Sequence, residues 1–349
     1  MSPRLTVIVP AAGAGRRLRP LTERLPKPLV PLAGATLLDH ALSPLEGAPY
    51  DEVVFVVPPG DGAIEAHVAA NGPARARFVV QPDALGQADA VARACDGVAG
   101  PVLVLFPDTV HDVDLGALAR AGGAPGAPDG VLHLRPVDRP ERFGVAVVEG
   151  GVVVRLVEKP AAFVSNLAVV GVYWLADAAA LAAACRAAGA HTDGEVYLAA
   201  ALQRLIDGGA RLEAAPVTTW LDCGTLPDLL ASNGILLESG GGWLRTRRAA
   251  SVAAVGAGTT VQPPAWVAAT AAIEDSAIGP GVSVGAGARI VRSTVGPRVH
   301  VGAGAVIEDA RVADAIVCDS AALIGATIEG RIVAQGGVLG EAGALEMAR

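Results

Sequence analysis

Gly13 and Gly15 lie in Pro10–Ala11–Ala12–Gly13–Ala14–Gly15, directly after the apolar run Leu5–Val9. Five basic residues follow within twelve positions: Arg16, Arg17, Arg19, Arg24 and Lys27. A glycine-rich turn at the end of a strand lets backbone N–H groups approach a phosphate closely, and the cations behind it favour a polyanionic ligand. No Gly-Lys-Ser/Thr follows as in a Walker loop, and Leu18 stands where the dinucleotide fingerprint has its third glycine. Two carboxylates stand where strands should end, Asp108 after Val102–Phe106 and Asp222 after Val217–Trp220. Hard oxygen ligands of this kind suit Mg²⁺ bound through one or two carboxylates plus substrate phosphates. Asp112 and Asp114 compete for the first role, and a lone Asp at such a point is more often a turn residue or helix cap. Of 27 basic residues only Lys27 and Lys159 are lysines, each followed by proline. Lysine is a compact point charge and arginine a wide fork, so the two sites are either chance survivals or tight anionic pockets.

These residues need elements to hold them. Leu5–Val9, Val53–Val57, Phe78–Val80, Val102–Phe106, Val131–Leu134, Val145–Val148 and Val152–Val157 read as strands of near-continuous apolar character. Helical stretches alternate with them, at Thr36–Ser43, Gln87–Cys95 and Ala176–Ala188. The alternation predicts an α/β fold with a mixed, mostly parallel sheet flanked by helices, in which ligands bind at the carboxyl ends of the strands. Ser239–Ala250, with Gly240–Gly241–Gly242, reads as a linker. Beyond it, aliphatic residues recur at steps of five or six: Ile278, Val284, Ile290, Val295, Val301, Ile307, Val312, Val317. That period fits neither a helix nor a strand pair and predicts a hexapeptide-repeat, left-handed β-helix. The expected organisation is a catalytic domain over 1–238, a linker over 239–250, the β-helix over 251–340 and a C-terminal tail over 341–349.

Composition excludes several classes. A net charge of −8 offers no basic surplus for nucleic acid, and 52% hydrophobic residues exclude intrinsic disorder. The longest uncharged run, Ala249–Ile273, contains Gly256, Gly258 and Pro263–Pro264, so it is not expected to span a membrane. The apolar run before Pro10 is too short for a signal peptide. Cys95, Cys185, Cys223 and Cys318 lie far apart without metal or disulfide spacing, which points to a reducing cytoplasm.

Taken together, the motifs resemble the sugar-1-phosphate nucleotidyltransferases, closest to the glucose-1-phosphate thymidylyl- and uridylyltransferases. Ala11 to Pro20 with Pro26–Lys27–Pro28 looks like that family's glycine-rich signature and Pro-Lys element. Gln81 with Leu85–Gly86 resembles its base-reading segment. Asp108, Phe143–Gly144–Val145, Glu158–Lys159–Pro160, Ser165–Asn166, Gly171–Val172–Tyr173, Gly194–Glu195–Val196–Tyr197–Leu198 and Asp222–Cys223–Gly224–Thr225 follow in the family's order. A hexapeptide β-helix behind the catalytic domain is typical of longer members.

The resemblance implies that a sugar-1-phosphate oxygen attacks the α-phosphorus of a nucleoside triphosphate in line and pyrophosphate leaves. It implies catalytic roles for Arg17, Lys27 and Asp108, and nucleotide binding by Ala12, Gly13, Gly15, Gln81 and Gly86. Gly144, Glu158, Lys159, Asn166 and Val169 would bind the sugar phosphate, with Asp108 and Asp222 holding Mg²⁺. dTTP or UTP with glucose-1-phosphate are the expected substrates, and the β-helix is expected to serve assembly into a homo-oligomer. The sequence departs from the family at Arg16, where a Thr is usual, and at Phe106–Pro107–Asp108–Thr109, where a Gly-Asp-Asn-like run is usual. Three alternatives remain: a GTP and mannose-1-phosphate enzyme, a bifunctional enzyme with His300 as base for acetyl transfer, and a catalytically silent regulatory subunit.

Overall fold

The computed structural model describes residues 5–60, 62–121, 126–190, 194–239, 255–334, 337–339 and 345–346. Up to the expected linker its strands are β1 Thr6–Pro10, β2 Pro31–Leu32, β3 Ala35–Thr36, β4 Glu52–Val57, β5 Ala76–Val80, β6 Val102–Leu105, β7 Thr109–His111, β8 Gly130–Pro136, β9 Gly144–Glu149, β10 Val152–Glu158, β11 Leu167–Leu175, β12 Leu212–Pro216 and β13 Trp220–Asp222. The helices are α1 Leu37–Leu42, α2 Ala63–Asn71, α3 Gln87–Ala94, α4 Leu115–Ala121, α5 Ala178–Ala187, α6 Leu198–Asp207 and α7 Leu226–Ser239. The chain forms two compact units: Met1–Ala14 with Pro44–Trp220, and Gly15–Ser43 with Leu221–Arg349. Neither boundary coincides with the segment limit expected at 238. The expected linker lies outside the described residues apart from Ser239, as does most of the expected tail.

The first unit is built on a nine-stranded sheet of order β5-β4-β1-β6-β11-β8-β12-β10-β9. Its leading strands β5, β4, β1 and β6 are parallel, as their apolar runs require of strands covered on both faces. β11 then enters antiparallel to both β6 and β8, and β12 returns parallel to β8. Ala88, Val91 and Ala94 of α3, Leu181 of α5 and Leu198 and Leu202 of α6 join Val54, Val104 and Leu132 of the sheet in one buried core. α5 begins at an Asp177 cap, whose carboxylate accepts from the N–H groups of Ala179 and Ala180. Strands β11 and β12 were not among the runs read as strands. β11 is interrupted by a register shift between Val169 and Tyr173, with Gly171 at φ +82, which breaks the simple alternation.

The second unit carries the β-helix. Ala265 pairs with Val282 and Val282 with Val299, a coil of 17 residues, and Ile316 pairs with Ile332, a coil of 16. Steps of six, six and five make the first length, and six, five and five the second. This resolves the uneven period of the sequence into three faces per turn, the architecture expected. Ile278, Val284, Ile290, Val295, Val301, Ile307, Val312 and Val317 all fill the interior of the prism. At one corner, buried serines continue the ladder. Ser276 Oγ accepts from Ser293 N–H at 3.0 Å, and Ser293 Oγ accepts from Ala310 N–H at 3.1 Å. Each hydroxyl donates to a carbonyl of its own coil at 2.7 Å, so no corner hydroxyl is wasted.

Candidate active site

The glycine-rich turn passes from one unit to the other at Ala14–Gly15. Ala11 and Ala12 are buried behind β1, with Ala11 N–H donating to Val56 C=O at 2.7 Å, and Gly13 is exposed. Gly15 has φ +60, and a Cβ there would lie 2.8 Å from Thr22 Cγ2 and 3.0 Å from Lys27 Cβ. Thr22 Oγ1 donates to Gly15 C=O at 2.9 Å. The glycine therefore lets the Arg16–Leu18 turn fold back onto the segment bearing Lys27. Arg16 and Arg17 are both exposed, and Arg17 is the one with a destination. A Cβ on Gly224 would stand 3.1 Å from Arg17 Nη2 and 3.1 Å from Asp222 Oδ1. Arg17 and Asp222, 205 positions apart, thus meet across the space that Gly224 leaves empty. Lys27 is half-buried in the same unit.

The other candidates lie on the first unit. Gln81, 5% exposed at the end of β5, donates through Nε2 to Gly86 C=O at 3.0 Å and to Asp89 Oδ2 at 2.8 Å. Its amide orientation is fixed, with the oxygen as the remaining end. Gly86 has φ +102, and a Cβ would fall 2.6 Å from Val196 N and 2.7 Å from Val196 O. The approach is cemented from both sides: Val196 N–H donates to Leu85 C=O at 2.8 Å, and Ala88 N–H to Val196 C=O at 2.9 Å. Two motifs more than a hundred residues apart are thereby one structure. Burial opposes ionisation of Asp89, yet the Arg93 and Gln81 hydrogen bonds together hold its carboxyl below the usual range.

A second group gathers at the end of β10. Lys159 follows it with a left-handed backbone, φ +43, and its N–H donates to Phe143 C=O at 3.0 Å. Its ammonium donates to Tyr197 Oη at 2.7 Å, lies 4.3 Å from that ring's centroid and stands 3.6 Å from Glu158 Oε1. The Glu158 carboxylate lies over Gly144, where a Cβ would stand 2.8 Å from its Oε2. Phe143 packs edge-on against Trp220, with centroids 5.1 Å apart. Val169 is half-buried on β11, while Asn166 is exposed and accepts through its backbone from Val137 N–H at 2.9 Å.

Asp108 is half-buried just beyond β6, where Phe106 N–H donates to Gly171 C=O at 3.0 Å and so registers this loop on the β11 bulge. Burial, and then the charges of Glu158 and Asp108, push the Tyr173 hydroxyl pKa up, so both carboxylates lie within electrostatic reach of one buried phenol. Asp112 and Asp114 have other work. Asp112 accepts from Thr219 N–H at 2.9 Å and Asp114 caps α4 through Ala117 N–H at 2.8 Å. His300, the base of the bifunctional alternative, is 5% exposed. All four cysteines are buried and free, with burial raising Cys95, Cys185 and Cys318 to about 12. Among the described residues no helix is long and apolar enough to cross a membrane.

Sequence reasoning missed Tyr197 as the partner of Lys159. The hydroxyl lies 38 positions away, and only the docking of Val196 on Gly86 brings it there. The signal was present in the Gly194–Leu198 motif, where Tyr197 was quoted without a role.

Residues 6–239 match the model of the nucleotidyl transferase family. The chain is 33% identical over 243 residues to a glucose-1-phosphate thymidylyltransferase of Streptomyces griseus, an alignment covering 67% of each chain. It is 32% identical over 303 residues to the glucose-1-phosphate thymidylyltransferase of Streptomyces antibioticus, covering 80% of this chain and 82% of that one. Its fold matches a crystal structure of UDP-glucose pyrophosphorylase complexed with UDP-glucose with a TM-score of 0.59 at 20% identity, over 68% of this chain and 99% of that one. The ordered motifs, the mixed sheet that holds them and these likenesses agree: the chain belongs to the nucleotidyl transferase family, in its sugar-1-phosphate branch.

Proposed function

We propose that the protein transfers a nucleotidyl group from dTTP or UTP to glucose-1-phosphate, releasing pyrophosphate. The observation that carries this reading is the group at the end of β10. An ammonium fixed by Tyr197 stands next to the Glu158 carboxylate, which closes over Gly144. A cation for a phosphate and a carboxylate for hydroxyls within one side-chain length suit a sugar phosphate. Lys159 binds the phosphate in this reading, and Glu158, Asn166 and the backbone at Gly144 and Val169 hold the sugar.

Gln81 and Gly86 read the base. With Nε2 engaged internally, Gln81 offers its amide oxygen to the ring N–H of uracil or thymine. The thymidylyltransferase relatives favour that nucleotide class. Ala12, Gly13 and Gly15 approach the triphosphate through backbone, and Arg17 and Lys27 neutralise its charge. The sugar-phosphate oxygen forms the new bond to the α-phosphorus while the bond from that phosphorus to the β-phosphate's bridging oxygen breaks, its electrons leaving with pyrophosphate. No covalent enzyme intermediate and no proton transfer are needed, so catalysis rests on positioning and charge neutralisation.

Asp108 and Asp222 are hard oxygen donors of the kind that suits Mg²⁺. When bound, Mg²⁺ would orient the phosphates and withdraw charge from them. Assembly into a homo-oligomer belongs to this reading and is checked by solution scattering. A reducing cytoplasm suits the four buried thiols.

The deciding experiment is Mg²⁺-dependent pyrophosphate release from dTTP, UTP, GTP, ATP and CTP against glucose-, mannose-, galactose- and N-acetylglucosamine-1-phosphate. Turnover with dTTP or UTP and glucose-1-phosphate is expected. A GTP and mannose-1-phosphate preference would replace the substrate assignment, and silence across the matrix with folded protein would overturn it.

A further inference from the structure

Arg17, Lys27 and Asp222 sit on the unit that contains the β-helix, and the buried side chain of Asn233 ties the Lys27 segment to that scaffold. Lys27–Leu29 forms a tight turn, followed by the β2–β3 hairpin, with Leu37 N–H donating back to Val30 C=O at 3.0 Å. At the hairpin's tip Ala33 is fully buried with φ +46, a conformation that a non-glycine residue holds only when its surroundings impose it. The two-residue turn between β2 and β3 requires it, with Ala33 and Gly34 both at positive φ, and α7 caps that turn. Ala33 N–H donates to Asn233 Oδ1 at 2.9 Å, across 200 positions of sequence.

Asn233 is 1% exposed in the middle of α7, a poor site for a polar amide unless every group is used. Its Nδ2 turns the other way, to the carbonyls of Arg298 and Ala315, each at 3.4 Å. Those two residues flank equivalent points on successive β-helix coils, where strands Val299–Val301 and Ala315–Val317 run side by side. The Arg298 side chain reinforces the contact, reaching Asp314 Oδ2 at 2.8 Å and Glu238 Oε1, near the end of α7, at 2.9 Å. The outward row of the same sheet, Ser283, His300 and Ile316, is buried, whereas the outward side of a solvated prism would be open to water. α7 itself begins a few residues after Asp222.

We propose that Asn233 is a positioning residue for the triphosphate-binding half of the site, and that the β-helix is the rigid body against which it holds the Lys27 segment. This rests on the proposed function for its kinetic readout, though not for its structural one. The prism is a stack of mutually paired coils, stiffer than any loop, and a hairpin anchored on it has few ways to move. Residues assigned to the sugar phosphate lie on the other unit, so loss of the tie has a one-sided signature.

The test uses the full-length chain carrying Asn233→Leu, with Asn233→Ala as a smaller replacement should leucine prevent folding. Loss of the three hydrogen bonds that Asn233 makes predicts a rise in NTP KM or a fall in kcat of about fivefold or more, with sugar-1-phosphate KM held within about twofold. Hydrogen exchange should quicken in peptides spanning residues 28–42, while β1, β4 and β6 keep wild-type protection. A folded variant with unchanged NTP kinetics and unchanged exchange in that segment overturns the proposal. So does a loss that lowers activity towards both substrates alike, in proportion to folded fraction. If the wild-type enzyme turns over no substrate pair, the proposed function fails, and the exchange experiment alone then decides the role of Asn233.

Discussion

Substituting Gly86 by alanine puts the base-reading segment to its severest test. The added methyl would lie 2.6 Å from Val196 N and 2.7 Å from Val196 O, both backbone atoms that no rotamer change can remove. The backbone at φ +102 and ψ −177 is also a region that side-chain-bearing residues avoid, at a cost on the order of 1–3 kcal/mol. Relief requires the Leu85–Ala88 strip to part from Val196, losing two backbone hydrogen bonds worth about 0.5–1.5 kcal/mol each. The total is about 2–6 kcal/mol, and it must appear somewhere. If the contact is forced in the native state, Tm falls by roughly 2–4 °C for each kcal/mol. If the strip moves, Gln81 and Gly86 lose their common frame and the NTP KM rises, tenfold for about 1.4 kcal/mol. Thermal melting and initial-rate kinetics on the same preparation read both channels. A variant with wild-type Tm and wild-type KM for its nucleotide would refute the close approach of Gly86 and Val196 and the base-reading role built on it.

Other expectations can be checked in parallel. Tyr197→Phe removes the hydroxyl oxygen that accepts the Lys159 hydrogen bond, and should raise sugar-1-phosphate KM by about threefold to tenfold while leaving NTP KM unchanged. Asp108→Asn and Asp222→Asn should each reduce pyrophosphate release by about a hundredfold or more with the fold intact by circular dichroism, and near-normal rates would remove that residue from the metal site. His111 is buried and its pKa is depressed to about 4 by desolvation first, then by His133. Because the unfolded chain binds the proton more readily, its contribution is complete above about pH 6.5 and drains away as pH falls towards 4. His111→Asn keeps an acceptor for the Val113 N–H and cannot charge, so its Tm should fall less between pH 7 and 4 than that of the wild type.

The parts of this molecule that were legible in the sequence are those where one residue's type answers to its immediate neighbours. The apolar runs that became β1, β4 and β6 lie in the parallel, doubly covered part of the sheet, where nothing interrupts them. The five-and-six step of the aliphatic residues survived because the narrow interior of the prism takes only aliphatic side chains of limited size. β11 was hidden by its bulge, and β12 by Leu212–Pro216 carrying a glutamate and a proline. Within the candidate site, the chemistry-bearing residues could be picked out and their partners could not. Neither Arg17 reaching Gly224 nor Lys159 meeting Tyr197 follows from spacing, since both depend on how distant turns dock. The arginine ambiguity was of this kind too: Arg16 and Arg17 are equivalent as letters, and only the empty space at Gly224 separates them.

Successive coils share one parallel register whether they hold 17 or 16 residues, so the β-helix divides naturally into whole turns. Excising residues 265–281 would bring Val282 to the place of Ala265 with every inward and outward side chain still in phase, because those two residues already share a register. The 16-residue coils show that a corner absorbs a difference of one residue while the aliphatic row stays inside. Each coil adds one strand spacing, about 4.8 Å, to the length of the stack. The coils carrying Val299–Val301 and Ala315–Val317 are the ones whose edge meets Asn233 of α7. The prism is thus graduated in steps of roughly half a nanometre, and its length changes by one such step for each coil inserted or deleted.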